Sequence, residues 1–295
     1  MPYKDLLTII EERFPKLSKG QKRIGNYLLN HYEKAVSLTA SRLGEVIGVS
    51  ESTVVRFAVE LGYEGYPELQ KALKDVLKNK LTSQQRIEVS SDILFKDNSN
   101  ILRSVLKGDI ERINTTLAEI DYEAFELSVE SILNAKRVYI VGGRSAGSLA
   151  NYFYFYLNLM HENVVMVDSS NVSDVFEQIF RITKDDVLIG ISFPRYSLST
   201  IKAVQFAMER KATTIGITDN TNSPISKYSQ YVLTAKTGMV SFVDSIVAPM
   251  SIISAMLIAI SVKKKDQLYN DFDMLEGIWK KNQIYSSGPD IEGDL

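Results

Sequence analysis

The chain has 295 residues, 45 % of them hydrophobic and 24 % charged, with a net charge of −2. That is enough for two globular domains. The absence of cysteine and the presence of only two histidines, His31 and His161, exclude disulfides, thiolate nucleophiles and thiolate zinc sites, so no metal or cofactor is expected.

The charge is uneven. Residues 1–80 hold 13 Lys and Arg against 10 Asp and Glu, giving +3 and leaving −5 for the remainder. The start, MPYKDLLTIIEERF, carries acids inside its apolar run and lacks the form of a signal peptide. The most apolar stretch, 246–262, is interrupted by serines and Pro249 and reads as a buried helix, so no membrane partner is expected. Cysteine-free composition fits a reducing compartment, and a cytoplasmic location is the expectation.

The first 80 residues read as helices. Leu6, Leu7 and Ile10 form one stripe, Pro15 breaks it, and Ser18 caps a helix carrying Ile24, Tyr27, Leu28 and Tyr32. The segment 38–61, LTASRLGEVIGVSESTVVRFAVEL, reads as two short helices joined by a tight turn. Leu43 and Ile47 share one face of the first helix, and Val54 and Phe57 line the facing side of the second. Gly44 permits close approach at the crossing, Gly48 is the turn residue, and Ser50 stands where an N-cap belongs. Glu51, Ser52, Thr53, Val55 and Arg56 are then left on or near the outer face, where short hydroxyls and an arginine suit phosphates and base edges of a major groove. Ser50, Glu51, Ser52, Thr53 and Arg56 are therefore the candidate DNA-binding residues. Arg42, with Lys19, Lys22 and Arg23, is a weaker candidate for the DNA backbone.

A turn at Gly62–Pro67 leads into a helix with Leu69, Leu73, Val76 and Leu77. Residues 79–98 are polar and weakly periodic, as a linker would be. An amphipathic helix spans about 99–119, its stripe of Ile101, Leu102, Val105, Leu106, Ile110, Ile113 and Leu117 suited to its own domain or to a second subunit. After a helix at 122–134 the pattern changes. RVYIVGG, NVVMVD, DVLIGIS, ATTIGITD and QYVLTA are short apolar runs with helical stretches between most of them, which predicts a parallel sheet with helices on both faces. The tail 286–295 is expected to be mobile. The expected domains are thus 1–78, a linker 79–98, 99–285 and the tail.

Ligands of such sheets bind outside the carboxyl ends of the strands. There the first loop reads Gly142-Gly143-Arg144-Ser145-Ala146-Gly147-Ser148 and a later one Ser192-Phe193-Pro194-Arg195-Tyr196-Ser197-Leu198-Ser199-Thr200. Both lead into helices, whose amino ends favour phosphate. Gly142, Arg144, Ser145, Ser148, Ser192, Arg195, Tyr196, Ser197 and Thr200 are the candidate effector-binding residues. Asp244 and Ser245 precede the apolar helix and form a candidate N-cap pair or ligand contact.

On GVSESTVVRFAVELGYEGYPEL, SFPRYSLST and TDNTNSPISKYSQ, the chain resembles RpiR-type bacterial transcription regulators. The resemblance covers residues 1 to about 285. It implies an all-α helix-turn-helix domain joined to an α/β sugar-isomerase (SIS) domain of flavodoxin-like form. It also implies a homodimer or homotetramer, double-stranded operator DNA as partner and a phosphorylated sugar as effector. SIS first loops often read Gly-x-Gly-x-Ser, whereas Arg144 here replaces the second glycine, to contact the ligand or to fold back on an acid such as Asp168. A phosphosugar isomerase or lyase with an added DNA-binding head would need a base near the sugar carbonyl; neither loop contains Glu or His, and the chain reads as a non-enzyme. A third possibility is a SIS domain that only dimerises.

Overall fold

The computed structural model describes residues 6–80, 82, 84–87, 100–239 and 243–285. The expected mobile tail and much of the expected linker, 81, 83 and 88–99, lie outside them.

The head is built from α1 (Leu6–Arg13), α2 (Lys19–Ala35), α3 (Ala40–Ile47), α4 (Glu51–Glu60) and α5 (Tyr66–Lys80). Local chemistry sets its helix ends. Ser18 and Gln21 form a reciprocal capping box at the start of α2, and Thr39 caps α3 through the Arg42 N–H. Gly48 ends α3 at φ +73°, and a Cβ on Gly44 would lie 2.8 Å from the Val49 carbonyl oxygen. The α3–α4 crossing thus depends on one glycine for its turn and another for its closeness. Val54 and Phe57 are fully buried with Ile24, Leu28, Leu43, Leu69 and Leu73 in a single core; each such side chain contributes about 1.5–3 kcal/mol by leaving water. Tyr66 and Gln70 of α5 donate to the Leu38 carbonyl, holding α5 against the approach to α3. The α5 helix runs two residues past the expected boundary at 78.

A single helical turn, α6 (84–87), follows. Thr82 and Gln85 brace it reciprocally: the Gln85 N–H donates to Thr82 Oγ1 and the Thr82 N–H to Gln85 Oε1. The polarity of 79–98 suggests a linker, and within it this T-x-x-Q box marks one ordered turn.

Helices α7 (Ile101–Glu119) and α8 (Tyr122–Asn134) lead into β1 (Val138–Gly142), α9 (Ala146–Leu157), β2 (Val164–Val167), α10 (Val172–Ile179), β3 (Val187–Ile191), α11 (Leu198–Glu209), β4 (Thr213–Thr218) and β5 (Tyr231–Thr234). The five strands are all parallel, in the order β2-β1-β3-β4-β5. Residues of α8, α9 and the later α12 (Val247–Lys263) pack on one face, and those of α10 and α11 on the other. Both faces being covered, β1 and β3 are buried along their whole length, which explains their unbroken apolar runs. A small antiparallel pair, β6 (Gly238–Met239) and β7 (Asp244–Ser245), precedes α12, and α13 (Lys265–Lys281) ends the described chain. Among the described residues no single helix is long and apolar enough to cross a membrane. Ile246 is the N-cap residue of α12; Ser245 Oγ accepts from the Val247 N–H at 3.4 Å and donates to Asp109, whereas Asp244 pairs with Arg86 rather than with the helix end.

Candidate DNA interface and anion-binding cavity

On the head, α4 turns its apolar side into the core and leaves Glu51, Ser52, Val55 and Arg56 exposed. Ser50 occupies the N-cap position, but its Oγ pairs with Ser52 Oγ (3.0 Å) and Thr53 Oγ1 (2.8 Å) rather than with a backbone N–H. The first turn of α4 therefore presents three linked hydroxyls. Arg56 folds back along the helix, its Nε donating to the Ser52 carbonyl at 3.2 Å. Arg42 pairs with Glu45 on an exposed face, a contact of small energetic worth that a phosphate readily replaces. Arg23 is committed elsewhere: its guanidinium donates to the Ile47 and Gly48 carbonyls at the end of α3, so it clamps the turn. The start of α2 also abuts α4, since a Cβ on Gly20 would lie 3.4 Å from Thr53 Cγ2.

In the sheet, the chain leaves β1 towards β2 and leaves β3 towards β4, with α9 and α11 on opposite faces. The crevice at that switch lies between the loops after β1 and β3. A cavity of about 270 Å³ opens there, lined by Gly143, Arg144, Ser145 and Ala146 from the first loop and by Ser192, Phe193, Pro194, Arg195 and Ser197 from the second. Two further residues reach it from distant segments, Arg86 and Asp244. The volume sits just under the roughly 300 Å³ at which drug-sized pockets begin, so the cavity suits a small ligand.

The two loops touch. A Cβ on Gly143 would sit 2.4 Å from Ser197 Oγ. Ser197 caps α11 through the Thr200 N–H, and its own N–H donates to Ser192 Oγ. Ser197 Oγ pairs with Ser199 Oγ, which donates to the Ser169 carbonyl, and Ser169 Oγ donates to the Gly142 carbonyl. One chain of hydroxyls thus joins the ends of three strands. Arg144 has φ +57°, the left-handed conformation that glycine adopts without strain and other residues at a cost of about 1–2 kcal/mol. Its side chain lines the cavity, while the Asp168 carboxylate accepts hydrogen bonds from Ser170, which hold it below the usual carboxylate range.

Two regional models match the chain: a helix-turn-helix domain of the rpiR family over residues 4–80 and a SIS domain over residues 131–259. The head is an rpiR-family helix-turn-helix domain and the sheet domain is a SIS domain. The chain is 26 % identical over 230 residues to a Haemophilus influenzae protein named as an HTH-type transcriptional regulator, covering 78 % of this chain and 79 % of that one. It is 28 % identical to a similarly named Clostridium perfringens protein, covering 74 % and 77 %. The sugar isomerase domain of an RpiR transcription factor from Sphaerobacter thermophilus superimposes with a TM-score of 0.55 at 26 % identity, covering 59 % of this chain and 96 % of that one. The Vibrio vulnificus NanR protein, solved with ManNAc-6P, shares the fold over 96 % of this chain and 100 % of its own, with a TM-score of 0.58 at 18 % identity.

Of the effector candidates, Arg144, Ser145, Ser192, Arg195 and Ser197 line the cavity. The others lie beside it. Gly142 supports the first loop from below, where a Cβ would meet the Ala146 carbonyl at 2.7 Å. Ser148 is exposed one turn into α9. Tyr196 turns away to donate to Asp219, and Thr200 is fully buried, its Oγ1 without a partner among the described residues. His161 lies at the amino ends of the strands, away from the cavity, Nε2 3.0 Å from the carbonyl oxygen of Ala135, and burial pushes its pKa down. Arg86 and Asp244 are the cavity residues that loop-by-loop reading did not assign together, because 158 residues separate them.

Proposed function

We propose that this rpiR-family transcription regulator senses a phosphorylated sugar in the SIS cavity and alters its hold on operator DNA accordingly. One observation carries the reading: the cavity at the strand switch joins two helix-leading loops rich in serine with a set of guanidiniums. Serine hydroxyls and arginine forks are the donors that phosphate and sugar hydroxyls need. The bound ManNAc-6P of the NanR neighbour is consistent with a ligand of this class. The carboxylate among the cavity residues belongs to Asp244, whose two oxygens both accept from Arg86. It serves better as an anchor than as the mobile base that isomerisation requires, so a binding role is favoured over catalysis.

Double-stranded operator DNA is the partner proposed for α4, with Ser50, Glu51, Ser52, Thr53 and Arg56 in the major groove and Arg42 on phosphate. A second copy of the chain is the partner proposed for α7. Ile101, Leu102, Ile110 and Leu117 are each 60–65 % exposed there, and an apolar cleft of about 390 Å³ runs between α7, α8 and α12. Large exposed apolar patches mark contact surfaces. Such an assembly sets two reading heads over two half-sites in the cytoplasm, where the operator is.

The test is a thermal-shift panel of glucose 6-phosphate, fructose 6-phosphate, ManNAc-6P and inorganic phosphate against the unphosphorylated sugars. A ligand that binds the native state raises the midpoint by mass action. A rise with one phosphosugar and none with its parent supports the proposal. No shift across the panel favours a SIS domain that only dimerises.

A further inference from the structure

The segment between the head and the SIS domain sends a charged side chain into the cavity. Arg86, on the braced turn α6, is only 5 % exposed. Its Nη1 lies 3.0 and 3.2 Å from the two carboxylate oxygens of Asp244 on β7. Arg144 and Arg195, which face the same space, are both exposed. Arg86 is therefore the cavity cation most removed from water, where a charge acts most strongly on an incoming anion.

A buried ion pair adds little net stability, because stripping water from both ions offsets their attraction. Position gives this pair a better reason. With Arg86, Arg144 and Arg195 against Asp244, the cavity carries a formal charge of about +2, and a phosphate monoester carries about −1.5 to −2 at neutral pH. Without Arg86 the cavity would be near +1 and could not balance the ligand.

The far side of the segment is tied to the same strand. Ser245, next to Asp244, donates to Asp109 of α7 at 2.6 Å, and Asp109 also accepts from Arg112. Strand β7 thus receives one contact from the interdomain segment, at Arg86, and one from α7 beyond it, at Asp109.

We propose that Arg86 is an effector-binding residue supplied by the interdomain segment: its guanidinium, held in place by Asp244, takes the anionic group of the ligand together with Arg144 and Arg195. Occupancy of the cavity then fixes the turn that leads to the DNA-reading head. This inference rests on the phosphosugar reading above.

The experiment uses the full-length protein and the phosphosugar that gives the largest thermal shift. Its affinity is measured by calorimetry for the wild type, Arg86→Gln, Arg86→Lys and Ser192→Ala with Ser197→Ala. Loss of a charge-assisted contact predicts roughly a tenfold to hundredfold weaker affinity for Arg86→Gln. Arg86→Lys, which keeps the charge but not the fork, should fall between the two. Amide hydrogen exchange across 82–87 should slow with ligand in the wild type and stay unchanged in Arg86→Gln. Circular dichroism checks each fold; if Arg86→Gln does not fold, Arg86→Lys decides. Wild-type affinity in a folded Arg86 variant, with binding lost in the serine variant, would overturn the role of Arg86 and leave the phosphosugar reading standing. A wild type that binds no member of the panel overturns both.

Discussion

The head and the SIS cavity of this regulator are built in different ways. The reading surface of α4 comes from one contiguous stretch: the turn glycine, the cap, the buried side and the exposed side all fall within residues 43–57. The cavity draws on four stretches, around residues 86, 143–146, 192–197 and 244, brought together by sheet topology. A surface specified locally depends mainly on its own two helices and on the few contacts, such as that of Arg23, which hold their turn. A cavity assembled from distant segments can be disabled by a methyl group at one junction.

That contrast is sharpest at two glycines. Gly143→Ala puts its Cβ against Ser197 Oγ and Cβ, which would lie at 2.4 and 2.7 Å. Ser197 is itself held by the start of α11, so the loops must part. The expected result is loss of the phosphosugar thermal shift, an affinity drop of about a hundredfold or more, with DNA binding kept. Gly44→Ala meets the Val49 carbonyl oxygen, which is backbone and cannot rotate away. Overpacking of this kind costs about 1–3 kcal/mol, read by denaturant unfolding of the head, and should weaken DNA binding while leaving ligand binding untouched. If either variant harms both activities equally, the separation of the two regions is wrong.

Arg56→Ala tests the surface without touching the fold. Its guanidinium bonds only along its own helix among the described contacts, so stability should move by less than about 0.5 kcal/mol. Operator affinity should fall roughly tenfold to a hundredfold, as for loss of one base or phosphate contact. Fluorescence anisotropy with labelled operator gives the number, and an unchanged ligand shift completes the comparison.

The same division decides what the sequence disclosed. The Gly48 turn, the Ser18 cap and the core of the head were legible because each is a local pattern of glycine, hydroxyl or apolar spacing, whereas Ser50 stands at the expected cap position but bonds to neighbouring hydroxyls. The strands were legible from their apolar runs, and the strand-switch loops from glycine and serine. The role of Arg23 was not, since its partners are two carbonyls at residues 47 and 48 and a lysine or arginine on a helix face gives no sign of reaching a neighbouring helix. Nor was the pairing of Arg86 with Asp244, since a polar segment and a residue before an apolar helix suggest a linker and a cap. Only the fold brings them to one space.

A smaller effect belongs to Tyr66. Its hydroxyl donates to the Leu38 carbonyl, and burial raises its pKa from 10.0 to about 12. The neutral phenol is favoured in the folded head, so this contribution is full below pH 10 and is lost as pH climbs from 10 through 12. Tyr66→Phe should cost about 1 kcal/mol at neutral pH and flatten that alkaline loss. The cost should fall at the low end, because Gln70 also donates to the Leu38 carbonyl and keeps it satisfied.

The smallest predicted change has two opposed parts, and Arg144→Gly separates them. At φ +57° a non-glycine residue costs about 1–2 kcal/mol. Glycine removes that strain but loosens the unfolded chain by about 0.4–1 kcal/mol. The net expectation is a protein more stable by a few tenths to about 1 kcal/mol, seen as a small rise in unfolding midpoint without ligand. Phosphosugar affinity should move the other way, by a few-fold, because an exposed guanidinium acts through water and salt. Greater stability with weaker binding would mean that this chain holds an unfavourable backbone conformation in order to place a cation at the cavity. Lower stability would show instead that the Arg144 side chain packs the first loop, and unchanged affinity would remove it from the ligand's surroundings.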